Sequence, residues 1–167
     1  MIDEIHKLLE VLLLRHSRRT VAAALKEAQQ KKTSYSAFLL KLLEEEHRDK
    51  RNRMIANRIK NSGLKELWAL ETFPWHLQPC LSKLRRSILE LAELDFIDRG
   101  ESVVFNGLAG VGKSGLASGV MLKALFAGRS AMARSAQDLF DELGNSLADR
   151  STKRLLQRLS RIDVLLI

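Results

Sequence analysis

One short segment of the chain combines the residue types that bind nucleotide phosphates. It matches the pattern G-x-x-x-x-G-K-[ST] at every specified position. The segment is Gly107-Leu108-Ala109-Gly110-Val111-Gly112-Lys113-Ser114. Glycines permit backbone conformations in which successive N–H groups turn toward an anion. In this pattern the lysine reaches the β- and γ-phosphates and the serine hydroxyl coordinates magnesium, so the segment predicts a site for ATP and Mg²⁺ with Ser114 as the metal ligand.

The elements around this segment predict an α/β fold. Ser102–Phe105 is a short β-prone run before the glycine-rich turn, and Lys113–Ala127 has the spacing of a helix that ends at Gly128. This order of strand, turn and helix is the setting that the phosphate-binding pattern requires. Two more strands are predicted at 130–134 and 163–167, the second continuously apolar as in buried parallel sheets. Helices are predicted between them, at 135–147 and 151–161, and Ser135 with Asp138 resembles a capping pair at the start of the first.

The positive charge lies mainly in the first part of the chain. Residues 1–65 hold 15 of the 28 Lys and Arg residues but only 8 of the 20 Asp and Glu residues, so seven of the eight excess charges lie there. Helical patterns run along Ile2–Leu13, Thr20–Gln30 and Ser36–Asn61, and Thr20 is the expected cap of the second helix. A basic helical region of this kind fits double-stranded DNA, although a solvated Lys/Arg-rich surface is the alternative. The candidate DNA-binding residues are Arg48, Lys50, Arg51, Arg53, Arg58 and Lys60.

The middle of the long third helix is unusually polar. Residues 44–53 include no aliphatic side chain. Such a stretch must be solvated, paired with other charges, or used on a charged partner.

A segment rich in aromatic residues and proline divides the chain. Residues 66–82 contain Trp68, Phe73-Pro74-Trp75 and Pro79, and they predict a linker. We expect its aromatic side chains to pack against the following domain rather than to stack on bases, because few cations accompany them. The predicted organisation is a basic helical region at 1–65, this linker, and the N-terminal part of a P-loop domain at 83–167, whose first helix is predicted at Leu84–Asp98.

Other chemistries find little support in the sequence. The single cysteine, Cys80, has no partner for an internal disulfide, and the four histidines lack zinc-type spacing. No G-x-S-x-G nucleophile motif is present. Asp163 precedes the apolar residues of its predicted strand, whereas a carboxylate that serves the metal should follow them. With no export signal or membrane-length apolar run, we expect a cytoplasmic protein that does not contact the membrane.

The order of these landmarks resembles that of the IstB-like transposition helper ATPases, relatives of the DnaC-type helicase loaders within the AAA+ group. The resemblance covers about residues 20–167. It is carried by Tyr35–Leu39, the basic stretch Arg51–Gly63, Phe73-Pro74-Trp75, Leu94–Glu101 and the phosphate-binding segment. It implies an AAA+ type parallel sheet, ATP binding, DNA binding without strong sequence preference, homo-oligomers, and a transposase partner.

Two departures from that family bear on activity. The family commonly has prolines where this chain has Leu108 and Ala109, which is tolerable because those positions contribute backbone. In the family, an acidic pair that holds magnesium follows the strand matching Val164–Ile167, and the sensor and arginine finger come later. The comparison with that family therefore assigns no catalytic residue to this chain and predicts that its sheet is incomplete. We expect that the 167-residue chain does not hydrolyse ATP at a useful rate. A non-catalytic interaction module and a helicase loader of replication remain as alternatives.

Overall fold

The computed structural model describes residues 1–77 and 79–167. By their internal contacts these residues form two compact units, Met1–Met54 and Ile55–Ile167. The boundaries expected from the sequence, at residues 65 and 82, stay predictions. Gln78, within the predicted linker, lies outside the described residues.

The first unit is helical. It contains α1 (Ile2–Val11), α2 (Arg15–Gln30) and most of α3 (Tyr35–Asn61). The prediction that Thr20 caps the second helix is wrong, since that helix begins at Arg15. The Thr20 hydroxyl instead donates a hydrogen bond to the carbonyl of His16, one turn earlier in the same helix (3.0 Å).

Ion pairing accounts for part of the charged middle of α3. Glu46 is only 3% exposed, and its Oε2 accepts a hydrogen bond from the backbone N–H of Ser17 in the first turn of α2 (2.7 Å). The free N–H groups of a helix start favour such an anionic partner. The Arg53 guanidinium contacts Oε1 of Glu46 (3.4 Å) and donates to Asp49 (2.7 Å). Part of the stretch is therefore committed to holding α2 and α3 together.

The second unit contains the predicted α/β region. Its elements after α3 are the 3₁₀ turns Leu70–Thr72 and Trp75–Leu77, the helices α4 (Pro79–Leu91), α5 (Asp95–Asp98), α6 (Lys113–Phe126), α7 (Ala136–Ala148) and α8 (Thr152–Leu159), and the strands β1 (Ala131–Ala133) and β2 (Val164–Leu166). The expected single helix over 84–98 is interrupted, because Leu94 adopts a positive φ of 72° between α4 and α5. Ser135 caps α7 by accepting the N–H of Asp138, as its sequence predicts.

The two strands form a parallel sheet that confirms the α/β class. Ala131 pairs with Val164 and Ala133 with Leu166, and α6 packs against both strands. The prediction of a strand at 102–105 is wrong, because nothing pairs with that run in the described residues and Val104 is 86% exposed. An extended segment becomes a strand only when its backbone N–H and carbonyl groups form hydrogen bonds with the backbone of a neighbouring segment.

The core of the second unit joins the predicted linker to α6. Phe73 is 7% exposed and Trp75 is 9% exposed, and both lie in the core, which confirms the predicted docking for these two aromatic residues. Trp68 is 37% exposed and lies outside the buried cluster. The buried cluster consists of Leu70, Phe73, Trp75, Leu81, Ile88, Leu94, Leu116, Val120 and Ala124.

A membrane-spanning helix, which would have to be long and apolar, does not occur in residues 1–77 and 79–167.

A carboxylate fixes the beginning of the parallel pair. The Oδ2 atom of Asp163 accepts hydrogen bonds from the Ser130 hydroxyl and the Ser130 backbone N–H, both at 2.7 Å. The backbone N–H of Asp163 donates in return to the Ser130 hydroxyl oxygen (3.0 Å). The two hydrogen bonds that Oδ2 accepts hold the pKa of the Asp163 carboxyl below its usual range, and the bond from the Ser130 hydroxyl contributes more than the bond from the Ser130 N–H. Asp163 thus has a structural use at the start of the strands.

We predict that Asp163→Asn lowers the free energy of unfolding by about 1 kcal/mol, the scale of a protein hydrogen bond. Because the folded pKa is depressed, the Asp163 contribution is complete above the ordinary aspartate pKa of 3.8 and is lost as the pH falls through the folded value. Urea unfolding at pH 7 and at pH 3 measures both effects. Asp141→Asn serves as the control, because Asp141 is an exposed residue of α7. Equal losses of unfolding free energy in the two variants would contradict the structural role of Asp163.

Candidate functional site

The phosphate-binding segment forms a tight turn that leads directly into a helix. Gly110 has φ 79° and Gly112 has φ 90°, both in the left-handed region that side chains disfavour. Gly112 is the N-cap of α6, and Lys113 is its first residue. The turn therefore places the free N–H groups at the start of α6, and the positive end of its dipole, beside the loop.

The Lys113 ammonium folds back over the loop. Its Nζ atom donates hydrogen bonds to the carbonyl oxygens of Gly107 (3.0 Å) and Leu108 (2.8 Å). The cation is therefore held within the turn, next to the beginning of the helix. A lysine ammonium and a helix N-terminus at one place favour a bound anion.

The outer part of the loop leaves room for such a ligand. A Cβ added at Gly110 would meet nothing within 4 Å, and one added at Gly107 would meet only the side chains of Val111 (3.6 Å) and Lys113 (4.0 Å). Leu108 and Ser114 are exposed. The donors and the open space fit a triphosphate, with the Ser114 hydroxyl accessible to a magnesium ion.

The inner part of the loop is packed against the linker. A Cβ added at Gly112 would lie 2.9 Å from Cζ of Phe73, and one added at Gly115 would lie 3.2 Å from Cε2 of the same ring. The sequence pattern predicts only a conformational role for Gly112. The short distance between the linker and this turn shows that Gly112 also permits a close contact.

The candidate DNA-binding residues differ in how they are used. In the first unit Arg48, Lys50 and Arg51 are exposed, whereas Arg53 is paired with Glu46 and Asp49. In the second unit Lys60 is exposed. Arg58 is half-buried, and its Nη1 atom has no hydrogen-bond partner within the described residues.

A second basic surface lies on and around α8. Residues 150–161 contain five cations and no acidic residue. Arg158 pairs with Glu142 of α7. The cations are Arg150, Lys153, Arg154, Arg158 and Arg161. The exposed basic side of this helix is visible in the sequence, although its residues are not among the predicted DNA contacts.

Comparison with protein families matches residues 7–167 to the model described as IstB-like ATP binding protein. A protein of Pseudomonas aeruginosa, provisionally described as the ATP-binding protein of insertion sequence IS21, is 32% identical over 164 residues. The alignment covers 98% of this chain and 61% of that relative.

Two further relatives have similar descriptions. The ATP-binding protein described for insertion sequence IS5376 of Geobacillus stearothermophilus is 35% identical over 134 residues, and the alignment covers 80% of this chain and 53% of that relative. An IS21-like ATP-binding protein of Bacteroides fragilis strain YCH46 is 32% identical over 143 residues, and the alignment covers 86% of this chain and 71% of that relative. The chain thus spans little more than half the length of the first two relatives.

We predict that Gly112→Ala is more destabilising than Gly110→Ala. Both place a side chain at positive φ, which costs about 1 kcal/mol or more. Only alanine at 112 must also displace the Phe73 ring, whereas position 110 faces open space. Thermal unfolding of the two variants tests this difference, and equal melting temperatures would show that the Phe73 contact is unimportant for stability.

Proposed function

The chain belongs to the family of IstB-like ATP binding proteins, and from this membership we propose that it binds ATP with Mg²⁺ and acts as a helper of DNA transposition. Gly107–Ser114 form the proposed nucleotide site. The observation that carries this proposal is the position of the Lys113 ammonium, held by the Gly107 and Leu108 carbonyls beside the N-terminus of α6.

The residues of the turn have distinct tasks in this proposal. Lys113 would exchange the two carbonyl oxygens for phosphate oxygens, because the hydrogen bonds of an ammonium to phosphate are stronger than those to neutral carbonyls. The N–H groups at the start of α6 would donate to the phosphate oxygens. The Ser114 hydroxyl would hold Mg²⁺, and the metal would offset the charge of the triphosphate.

DNA and a transposase are the proposed macromolecular partners. The relatives are described as proteins of insertion sequences, which favours transposition over replication as the process served. The excess positive charge of residues 1–65 supports binding to the DNA backbone. Within that region the exposed cations Arg48, Lys50, Arg51 and Lys60 are the stronger candidates, since Arg53 is engaged in ion pairs.

We predict that Lys113→Ala weakens binding of Mg²⁺-ATP by at least about tenfold, the scale of one charge-assisted hydrogen bond. Titration with a fluorescent ATP analogue measures the affinity. Lys153→Ala is the matched control, because Lys153 is an exposed lysine of the same unit that lies on α8, away from the linker and the turn in the sequence. Equal affinities of the parent protein and Lys113→Ala would refute the site.

We predict that replacing Arg48, Lys50, Arg51 and Lys60 with Gln reduces DNA binding and its salt dependence. Each lost phosphate contact lowers the slope of log affinity against log salt by about 0.9. Fluorescence anisotropy with two duplexes of unrelated sequence measures the slope, and we expect the same result for both.

Matched variants distinguish the two basic surfaces. Lys153→Gln with Arg154→Gln removes cations from α8 and should leave the slope unchanged. Arg53→Gln should reduce the free energy of unfolding by more than it reduces the free energy of DNA binding. The substitution leaves the buried Glu46 carboxylate without its cation. If the salt-dependence slope changes in the Lys153/Arg154 variant and stays unchanged in the Arg48/Lys50/Arg51/Lys60 variant, the DNA-binding surface would instead be assigned to α8.

A further inference from the structure

The linker packs against one glycine-lined side of α6. Phe73 lies against Gly112 and Gly115, and Leu70 lies against Gly119, where an added Cβ would be 2.6 Å from Cδ2 of Leu70. A side chain at these glycines would push the linker away. The close packing of linker and helix therefore depends on the small residues that face the linker.

The Phe73 ring is itself held on several sides. Its centroid is 4.9 Å from that of Trp75 and 6.0 Å from that of Trp68, in tilted and edge arrangements. The Trp75 indole N–H donates to the carbonyl of Leu70 (3.2 Å), and Glu71 pairs with Lys123. Phe73 thus meets the phosphate-binding turn as part of a braced structure.

We propose that Phe73 is a positioning residue for the phosphate-binding turn, an inference that rests on the nucleotide binding proposed above. The ring lies against the backbone of Gly112, the last residue before the helix and the neighbour of Lys113. It limits movement of this turn toward the linker. The N–H groups at the start of α6 consequently keep one position relative to the Lys113 ammonium.

Support at this point matters because the rest of the turn is open. Nothing lies within 4 Å of a Cβ added at Gly110, and Leu108 is exposed. The backbone donors must be held accurately before the ligand arrives, since ordering them during binding weakens affinity. Phe73 supplies that order from the inner side, without touching the ligand.

Leu70 provides a matched control within the same linker. Leu70 is 1% exposed and Phe73 is 7% exposed, so truncating either residue leaves a cavity in the same core. Leu70, however, contacts Gly119, which lies about two helical turns beyond Gly112. A purely structural role predicts the same loss of ATP binding in both variants. A positioning role predicts a loss in Phe73→Ala alone.

The first measurement compares Mg²⁺-ATP affinity in the parent protein, Phe73→Ala and Leu70→Ala at a temperature where all three are folded. We expect Phe73→Ala to bind about tenfold more weakly and Leu70→Ala to bind like the parent. If Phe73→Ala does not fold, Phe73→Leu takes its place and should show a smaller loss in the same direction. Parent affinity in the Phe73 variant, or an equal loss in Leu70→Ala, would overturn the proposal.

Hydrogen exchange of the nucleotide-free protein tests the positioning role separately. The Leu116 N–H donates to the Gly112 carbonyl (2.9 Å), which is the first backbone hydrogen bond of α6. The Leu116 amide should exchange faster in Phe73→Ala than in Leu70→Ala, whose faster exchange should centre on residues 119–123. Equal exchange of the Leu116 amide in the two variants would overturn the proposal. A parent protein that fails to bind ATP would instead refute the proposed function, and the exchange comparison would still decide whether Phe73 holds the turn.

Discussion

The close contact between the linker and the glycines of α6 is the constraint on which the second unit depends. Phe73 lies against Gly112 and Gly115 at a distance that no larger residue at position 112 would allow without movement. The same contact forms part of the hydrophobic core and borders the phosphate-binding turn. Burial of apolar surface, the main source of folding free energy, is therefore coupled to the shape of the candidate site. Stability and the shape of the candidate site depend on the same residues.

The first unit follows a different principle, in which charge is partly consumed by the fold. Glu46 is buried because it serves both the start of α2 and the Arg53 guanidinium. A buried carboxylate that loses its partners is strongly destabilising, so this arrangement holds α2 and α3 in a defined pairing. The net charge of the region consequently overstates the cations available to DNA. Arg48, Lys50 and Arg51 remain exposed on α3 and are the proposed contacts for a phosphate backbone.

Short polar contacts define both edges of β1. The Ala133 N–H donates to the carbonyl of Ser62 (2.6 Å), just beyond the end of α3, while the other edge pairs with β2. Asp163 and Ser130 fix the start of that pairing. A three-residue strand buries little area by itself, so these bonds and the packing of α6 determine its register. The basic end of α3 is thereby connected, through one backbone hydrogen bond, to the sheet on which α6 packs.

Local sequence was enough to predict the glycine-rich turn, the α/β class, the Ser135 cap and the helix that begins at Lys113, because each depends on neighbouring residues. The other features depend on contacts between residues that lie far apart in the chain. The run at 102–105 has strand-forming residues, but a strand needs a partner, and hydrogen-bonded pairing is not a local property. Spacing along the chain likewise could not show that Glu46 would face the first turn of α2, or that Phe73 would meet Gly112. Those contacts join residues 29 and 39 positions apart, and only folding brings them together.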